Sequence, residues 1–222
     1  YETFINTGVD QTYDWPELEE NQAAGLCYTS GTTGNPKGAL YSHRSTVLHT
    51  YAMSLPDALN ISSQDKIMPI VPMFHVNAWG IPYAAPMTGC AMVLPGRYMG
   101  DGKVLAKLID ELKVTLAAGV PTAWNNLMEQ FDETMDGIKR LASRKMAAIG
   151  GAAAPEKLVQ EIEACGPEVR VAWGMTETSP LGCVNVGSDA RELSSKVKAG
   201  RPVYGIEFRI VNDQGLELDW DG

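Results

Sequence analysis

The chain has 222 residues, and 18 lysines and arginines against 27 aspartates and glutamates give it a formal net charge of −9. This acidic balance argues against a nucleic-acid-binding surface, which normally carries a basic excess, so no nucleic-acid partner is expected. Hydrophobic residues make up 45% and charged residues 20%, which indicates a globular chain rather than a disordered or collagen-like one.

The first predicted elements are a strand, a polar loop and a helix. Residues 25–28 form a short apolar run that leads into a Gly/Ser/Thr loop. Ser42 is a suitable cap for a helix that Pro56 would end. Apolar residues recur along that helix at helical spacing: Val47, Leu48, Tyr51, Ala52 and Leu55.

Strands and helices then alternate to about residue 173. Strands are predicted over residues 66–71, 90–94, 114–118, 145–149 and 168–173. Helices are predicted over residues 78–87, after a cap at Asp101, from Pro121 to residue 131, and over residues 155–164. This alternation predicts an α/β fold in which helices cover both faces of a parallel sheet.

The pattern changes near Gly200. Ile206, Phe208 and Ile210 alternate with charged residues, a turn is predicted at residues 212–215, and a second short apolar run follows. We therefore expect a half-buried antiparallel hairpin there. Residues 1–199 are assigned to the α/β part and residues 200–222 to the start of a small β subdomain.

One long uncharged segment requires a test for membrane insertion. Residues 67–96 contain no Asp, Glu, Lys or Arg. However, five prolines interrupt the segment, and a lipid-exposed helix could not keep its backbone hydrogen bonds there. The segment is predicted to be buried in a folded domain, with no transmembrane span.

The termini and the cysteines bear on the context of the chain. It begins at Tyr1 rather than at an initiator methionine and ends on Trp220-Asp221-Gly222, so we expect parts of a parent chain on both sides. The four cysteines form no C-x-x-C pair, and no secretory signal opens the chain. Free thiols in the cytoplasm are the expectation. The oligomeric state stays open, a homo-oligomer included.

The densest polar motif is Tyr28-Thr29-Ser30-Gly31-Thr32-Thr33-Gly34-Asn35-Pro36-Lys37-Gly38. Glycines let a backbone approach a phosphate closely, hydroxyls add donors, and a lysine supplies compensating charge. The motif is not the Walker pattern, because Pro36 precedes Lys37 and Gly38 follows it, which disfavours P-loop GTPases and kinases. It resembles the phosphate loop of the adenylate-forming superfamily, which includes acyl-CoA synthetases, peptide-synthetase adenylation domains and beetle luciferases.

Three later segments strengthen this resemblance. Gly150-Gly151-Ala152-Ala153-Ala154-Pro155 resembles the adenine-contacting turn of the family. Trp173-Gly174-Met175-Thr176-Glu177 resembles its aromatic-Gly-x-Thr-Glu motif, with tryptophan where tyrosine is usual, so that any contact of a phenol hydroxyl is lost. Pro72-Met73-Phe74-His75-Val76-Asn77-Ala78-Trp79 resembles the acyl-pocket segment of fatty-acid-type ligases. Apart from these three, the shorter segment Gly200-Arg201-Pro202 resembles the family's turn before the β subdomain.

The resemblance implies the central part of an AMP-binding domain that uses ATP, Mg²⁺ and coenzyme A. A carboxylic acid would attack the α-phosphate of ATP, and the acyl-adenylate would then pass to the thiol of coenzyme A. The loop with Lys37 would hold phosphates, Thr176 would contact the α-phosphate region, and Glu177 would bind Mg²⁺. Gly174 and Met175 complete the nucleotide motif. Adenine would be framed by Gly151, Ala152, Ala153 and Trp173, and the acyl group by His75, Val76, Asn77, Trp79 and Gly150.

The acyl-pocket segment also narrows the substrate class. A domain that activates amino acids needs a buried carboxylate for the substrate ammonium, and residues 67–96 have none. A carboxylic acid with an apolar tail is favoured, from short or medium chains, including methylthio-alkanoates, to long ones. The alternative is a nucleotide-binding or scaffold module of the same fold without ligase activity. The resemblance also places the ribose-binding motif and the adenylation lysine of the family beyond Gly222, so the fragment alone is expected to be inactive.

Overall fold

The computed structural model describes residues 2–8, 12–29, 34–131, 145–186 and 192–219. After a short helix α1 (Glu2–Asn6), strands β1 (Ala23–Tyr28) and β2 (Gly38–Ser42) pair antiparallel as a separate two-stranded sheet. The predicted first strand is confirmed. Strand β2 was not predicted, because its five residues directly follow the glycine-rich loop and lead straight into the capped helix.

The second sheet contains seven strands. These are β3 (Lys66–Ile70), β4 (Ala91–Met92), β5 (Leu116–Gly119), β6 (Met146–Ile149), β7 (Glu168–Gly174), β8 (Leu181–Val184) and β9 (Arg201–Pro202). Their order is β4-β3-β5-β6-β7-β8-β9. The strands from β4 to β7 run parallel, and β8 and β9 join antiparallel at one end.

Helices cover both faces of this sheet. They are α2 (His43–Ser54), α3 (Val76–Trp79), α4 (Ile81–Thr88), α5 (Gly102–Leu112), α6 (Pro121–Met128), α7 (Glu156–Ala164) and α8 (Leu193–Lys196). One core contains Leu105, Leu127 and Val159, which come from α5, α6 and α7. The other contains Met53 and Ile81, which come from α2 and α4. The predicted α/β fold, with a largely parallel sheet covered on both faces, is confirmed.

Both predicted helix caps are confirmed. Ser42 Oγ accepts a hydrogen bond from Ser45 N at 3.0 Å. Asp101 Oδ1 accepts hydrogen bonds from the backbone at the start of α5, with Lys103 N at 3.0 Å. Each cap satisfies an amide that lacks a partner within its helix.

Four of the five apolar residues predicted along α2 and its cap do not lie on the buried face; Ala52 is the one that does. Val47, Leu48, Tyr51 and Leu55 are between 42% and 59% exposed, whereas His49, Thr50, Ala52 and Met53 are buried. The polar member Thr50 can be buried because its hydroxyl donates to the Thr46 carbonyl within the helix, at 2.6 Å. Apolar spacing therefore located the helix but not the face that packs.

The helix predicted over residues 78–87 is wrong at its start. Val76, Asn77, Ala78 and Trp79 have φ values of 49°, 52°, 48° and 59°, so α3 is one left-handed turn, and the right-handed α4 begins after Gly80. Each left-handed residue other than glycine costs about 1–2 kcal/mol. Such strain persists only where the surroundings impose it, and Val76 and Ala78 are both buried.

The C-terminal segment forms the predicted turn without the predicted burial. Asn212 N donates to Leu216 O and Leu218 N donates to Ile210 O, both at 2.9 Å. Phe208, Ile210, Leu216 and Leu218 are nevertheless between 46% and 70% exposed. Arg201 and Pro202 form β9, which pairs with β8 of the main sheet. The domain boundary at residue 200 stays a prediction.

The described cysteines, Cys27, Cys90, Cys165 and Cys183, are buried free thiols. Within the described ranges, no helix combines the length and apolar character that crossing a membrane requires.

A buried histidine joins α2 to β8. His49 Nε2 accepts a hydrogen bond from Leu181 N at 3.1 Å, so the ring proton lies on Nδ1, which has no partner among the described residues. Burial lowers the pKa of His49 from 6.5 to about 4. The folded protein therefore keeps this ring neutral at pH values where an unfolded chain would protonate it.

We predict that the free energy of unfolding falls as the pH is lowered from about 6.5 towards about 4. The native state resists protonation of His49 and the unfolded state does not, so lowering the pH favours unfolding, by roughly 3 kcal/mol in total. Urea unfolding at several pH values measures this slope. His49→Gln should flatten it, and His43→Gln at the start of α2 is the control. Equal slopes in the wild type and His49→Gln would contradict the prediction.

Candidate active site

A cavity of about 220 Å³ opens where the carboxyl ends of β6 and β7 meet α3. Ligands of open parallel sheets usually bind at this edge. Nine predicted site residues line the cavity: His75, Val76, Trp79, Gly150, Gly151, Trp173, Gly174, Met175 and Thr176. The fold therefore brings together three segments that are far apart in the sequence. The remaining members of these segments, Asn77, Ala152, Ala153 and Glu177, do not line it.

The ring of Trp79 lies against the glycine turn after β6. A Cβ placed on Gly150 would lie 3.3 Å from Trp79 Cη2, and one placed on Gly151 would lie 3.7 Å from Trp79 Cζ2. Gly151 also has φ +78°, which favours glycine for a second reason. The turn that the sequence predicts to contact adenine is therefore also in contact with Trp79, an aromatic residue of the predicted acyl site.

Trp173 occupies the other side of the same edge. Its ring meets the Phe208 ring edge-on, with centroids 5.5 Å apart, and a Cβ on Gly182 would lie 2.8 Å from it. The side chain is 38% exposed, so one part of it is held by packing and another part is accessible. An aromatic surface of this kind is suited to stacking against a flat ring.

The segment that follows β7 folds into a tight turn. Met175 N donates to Pro180 O at 3.1 Å and to Thr178 Oγ1 at 2.9 Å, and residues Thr176–Thr178 form a short 3-10 helix. Glu177 is exposed on this turn. Its carboxylate can therefore reach a ligand in front of the sheet edge.

The two-stranded sheet carries the predicted phosphate loop. Thr29 N donates to Lys37 O at 2.8 Å, which closes the base of the loop. Gly34 adopts φ +117°, which side-chain-bearing residues rarely do, and Lys37 is exposed. Ser30, Gly31, Thr32 and Thr33 lie outside the described residues. Next to this sheet, a Cβ on Gly25 would lie 3.9 Å from Asn77 Nδ2, so β1 runs beside α3.

The cavity lining is largely apolar. Among the described residues, the lining contains no Asp, Glu, Lys or Arg, and His75 is its titratable side chain. The described lining therefore offers no carboxylate to pair with a substrate ammonium.

The described residues include no group of three or more His, Cys, Asp and Glu side chains that could hold a metal ion. A single exposed carboxylate at Glu177 still fits Mg²⁺, because this ion commonly keeps several waters and binds one or two carboxylates together with substrate phosphates.

Six further residues line the cavity that the motifs did not indicate: Met53, Leu59, Ala148, Ala172, Pro180 and Leu181. Ala148 and Ala172 belong to β6 and β7, and their small side chains leave room above the sheet. An alanine in a buried strand has no distinctive sequence signal, so only the fold could identify these positions.

Backbone packing alone explains why position 174 is a glycine. A Cβ at this position would lie 2.0 Å from the Pro180 carbonyl oxygen, which belongs to the backbone and cannot rotate away. The Trp-Gly pair of the motif therefore reflects the close crossing of two backbone segments, whatever the ligand.

We predict that Gly174→Ala lowers the free energy of unfolding by about 3 kcal/mol, as expected for overpacking against rigid backbone. Denaturant unfolding measures this change. Gly100→Ala is the matched control, because a Cβ there would meet nothing within 4 Å, and it should change the stability by no more than about 0.5 kcal/mol. Equal stabilities of the two variants would contradict the proposed clash.

Comparison with known proteins agrees with this geometry. The family model described as AMP-binding enzyme matches residues 3–222. The chain is 48% identical over 230 residues to the medium-chain-fatty-acid–CoA ligase of Ectopseudomonas oleovorans, with 100% of this chain and 41% of the ligase covered. It is 47% identical over 233 residues to the 3-methylmercaptopropionyl-CoA ligase of Ruegeria pomeroyi, with 100% of this chain and 42% of the ligase covered. The chain thus spans about two fifths of the length of these curated relatives.

A solved structure shows the same architecture. The crystal structure of a long-chain-fatty-acid-CoA ligase from Archaeoglobus fulgidus superposes with a TM-score of 0.81 at 25% sequence identity. The alignment covers 100% of this chain and 44% of that one. Because the family model matches nearly the whole chain, the chain belongs to the family of AMP-binding enzymes.

Proposed function

We propose that the chain is the central part of the large domain of an ATP-dependent acyl-CoA ligase, an acid–thiol ligase. Residues 1–199 would belong to its AMP-binding α/β part and residues 200–222 to the start of its β subdomain. The observation that carries the proposal is the apolar cavity without a carboxylate, whose rim includes Thr176 and the glycine turn. The names of the two curated relatives support the reaction class.

In the first step a carboxylate oxygen would bond to the α-phosphorus of ATP while the bond to the β-phosphate breaks and pyrophosphate leaves, and in the second the thiol of coenzyme A would displace AMP from the acyl-adenylate. Both reactants of the first step are anions. The protein must therefore reduce phosphate repulsion and align the attacking oxygen, which is positioning and electrostatics rather than covalent chemistry. In our proposal Thr29 to Gly34 and Lys37 hold the β- and γ-phosphates, and Thr176 contacts the α-phosphate region. Glu177 would hold Mg²⁺, which supplies positive charge to the phosphates when bound.

The two ends of the acyl-adenylate would occupy adjacent walls of the site. Adenine would lie against Gly151, Ala152 and Ala153, with Trp173 as its aromatic neighbour, because small residues let a flat ring approach the backbone. The acyl tail would enter the cavity between His75, Val76, Trp79 and Gly150, and Asn77 would contribute from outside the lining. Trp79 stands against the glycine wall, so it would limit the depth available to the tail.

The substrate in this proposal is a carboxylic acid with an apolar tail. The two curated relatives are named for a medium-chain fatty acid and for 3-methylmercaptopropionate, and both acids fit this description. Coenzyme A would be the second substrate, and the cytoplasm the compartment, where free thiols such as the four buried cysteines persist.

We predict that the full-length parent enzyme activates apolar acids in preference to amino acids. A panel of acids of graded length, offered with ATP, Mg²⁺ and coenzyme A, measures thioester formation. The cavity disfavours amino acids because an ammonium group would find no carboxylate among its described lining residues. A preference for amino acids over fatty acids would contradict the assignment of the cavity.

We predict that Lys37→Ala in the parent enzyme lowers the rate of acyl-adenylate formation about a hundredfold, because one charge that stabilises the phosphates is lost. Acid-dependent ATP–pyrophosphate exchange measures this step. Lys157→Ala, which removes an exposed charge from α7, is the matched control and should keep the wild-type rate. Unchanged exchange in Lys37→Ala would refute the role of the loop.

The second candidate function is nucleotide binding without ligation. It would be established if the parent protein bound ATP but showed no acid-dependent exchange with any carboxylic acid.

The activity of the isolated chain is a separate question. We expect this chain to be inactive, and robust exchange by residues 1–222 alone would overturn that expectation.

A further inference from the structure

Tyr41 connects the two-stranded sheet to the Thr176–Glu177 turn. Its hydroxyl donates a hydrogen bond to the Thr176 carbonyl oxygen at 2.6 Å, across 135 residues of sequence. The bond is short for a hydroxyl donor, and the Tyr41 side chain around it is buried, with 6% exposure. Because it lies on β2, Tyr41 belongs to the strand that follows the predicted phosphate loop.

The turn has internal hydrogen bonds but few links to its surroundings. Met175 N, Thr178 N and Thr178 Oγ1 bond within the segment from Met175 to Pro180. These bonds fix the shape of the turn without fixing its place relative to the phosphate loop. The Tyr41 hydroxyl supplies that second constraint, since β1 and β2 form a sheet separate from the one that ends in the turn.

The surroundings of the hydroxyl keep it a donor. Burial raises the pKa of Tyr41, and nearby Cys27 and the Glu177 carboxylate act in the same direction. The phenol therefore stays protonated over the whole working range of pH.

We propose that Tyr41 is a positioning residue for adenylation, which holds the phosphate loop and the Thr176–Glu177 turn in register. This inference rests on the proposed function. Lys37 directly precedes β2 of the two-stranded sheet, Glu177 lies in the turn that follows β7 of the other sheet, and in the proposed function both face the same polyphosphate. A link from the loop's own strand to the residue beside Glu177 fixes their separation before the nucleotide binds, which lowers the cost of organising the site.

The test is Tyr41→Phe in the full-length parent enzyme. This substitution removes one hydroxyl and keeps the ring that fills the core. We expect kcat for acid-dependent ATP–pyrophosphate exchange to fall roughly three- to tenfold, the effect of one neutral hydrogen bond. The Mg²⁺ concentration for half-maximal rate should rise by a similar factor, while the KM for the acid stays within about twofold. Tyr51→Phe makes the same chemical change at an exposed position of α2 and should behave as the wild type.

Hydrogen exchange of the folded proteins gives a readout that does not depend on activity. Peptides that cover residues 174–179 should exchange faster in Tyr41→Phe than in the wild type, and peptides from β5 and β6 should be unchanged. The inference would be overturned if Tyr41→Phe had the same kcat, the same Mg²⁺ dependence and the same hydrogen exchange at the turn as the wild type. Faster exchange throughout the sheet, with the KM for the acid raised as much as kcat is lowered, would overturn it as well.

The inference and the proposed function can fail separately. If the wild-type parent activated no acid, the proposed function would fail, and the exchange of the turn would still decide whether Tyr41 positions it. If the wild type were active and Tyr41→Phe were equally active with an unaltered turn, only the inference about Tyr41 would fail.

Discussion

The contact between the Trp79 ring and the Gly150–Gly151 backbone is the constraint on which the rest of the site depends. A Cβ on Gly150 would lie 3.3 Å from the ring, and one on Gly151, where φ is +78°, would lie 3.2 Å from Val120, so glycine fits this turn with the least displacement of its neighbours. Parallel pairing of β6 with β7 then sets this turn beside the Trp173 end of the sheet. One close approach therefore fixes the distance between the predicted acyl wall and the predicted adenine wall.

The left-handed turn of α3 explains how Trp79 reaches that position. Four successive residues with positive φ reverse the chain within one short turn, and a right-handed helix would direct the side chains elsewhere. The strain is held by burial of Val76 and Ala78, and by Ile81 at the start of α4. Strained backbone of this kind concentrates at functional sites. Here it sets an aromatic side chain against backbone at the inner end of a cavity.

Much of the fold followed from the sequence, because hydrophobic periodicity and caps are local signals. Ser42 and Asp101 marked two helix starts, and the buried strands from β3 to β7 were found within a few residues. The left-handed turn could not be predicted, since a β-branched residue such as Val76 normally avoids positive φ. The outward-facing apolar residues of α2 were missed because spacing alone does not say which face meets the sheet.

The candidate site, like the fold, was predictable from the sequence only in part. Motifs located the segments, whereas Ala148, Ala172 and the Tyr41 link depend on long-range packing that no local pattern encodes. The net charge of −9 is an average over the chain and does not describe the predicted phosphate loop, which combines one lysine with backbone amides and hydroxyls. An acidic average is therefore compatible with a polyanionic ligand at one edge of the sheet.

The central claim is that adenine and the acyl tail occupy adjacent walls of one site, with the acyl tail against Trp79 and adenine against the glycine turn and Trp173. A crystal structure of the parent enzyme with a non-hydrolysable acyl-adenylate analogue tests it most directly. The account predicts the acyl tail in the cavity against Trp79 and the adenine ring against residues 151–153. An adenine ring packed against Trp79, or an acyl tail that leaves Trp79 uncontacted, would contradict it.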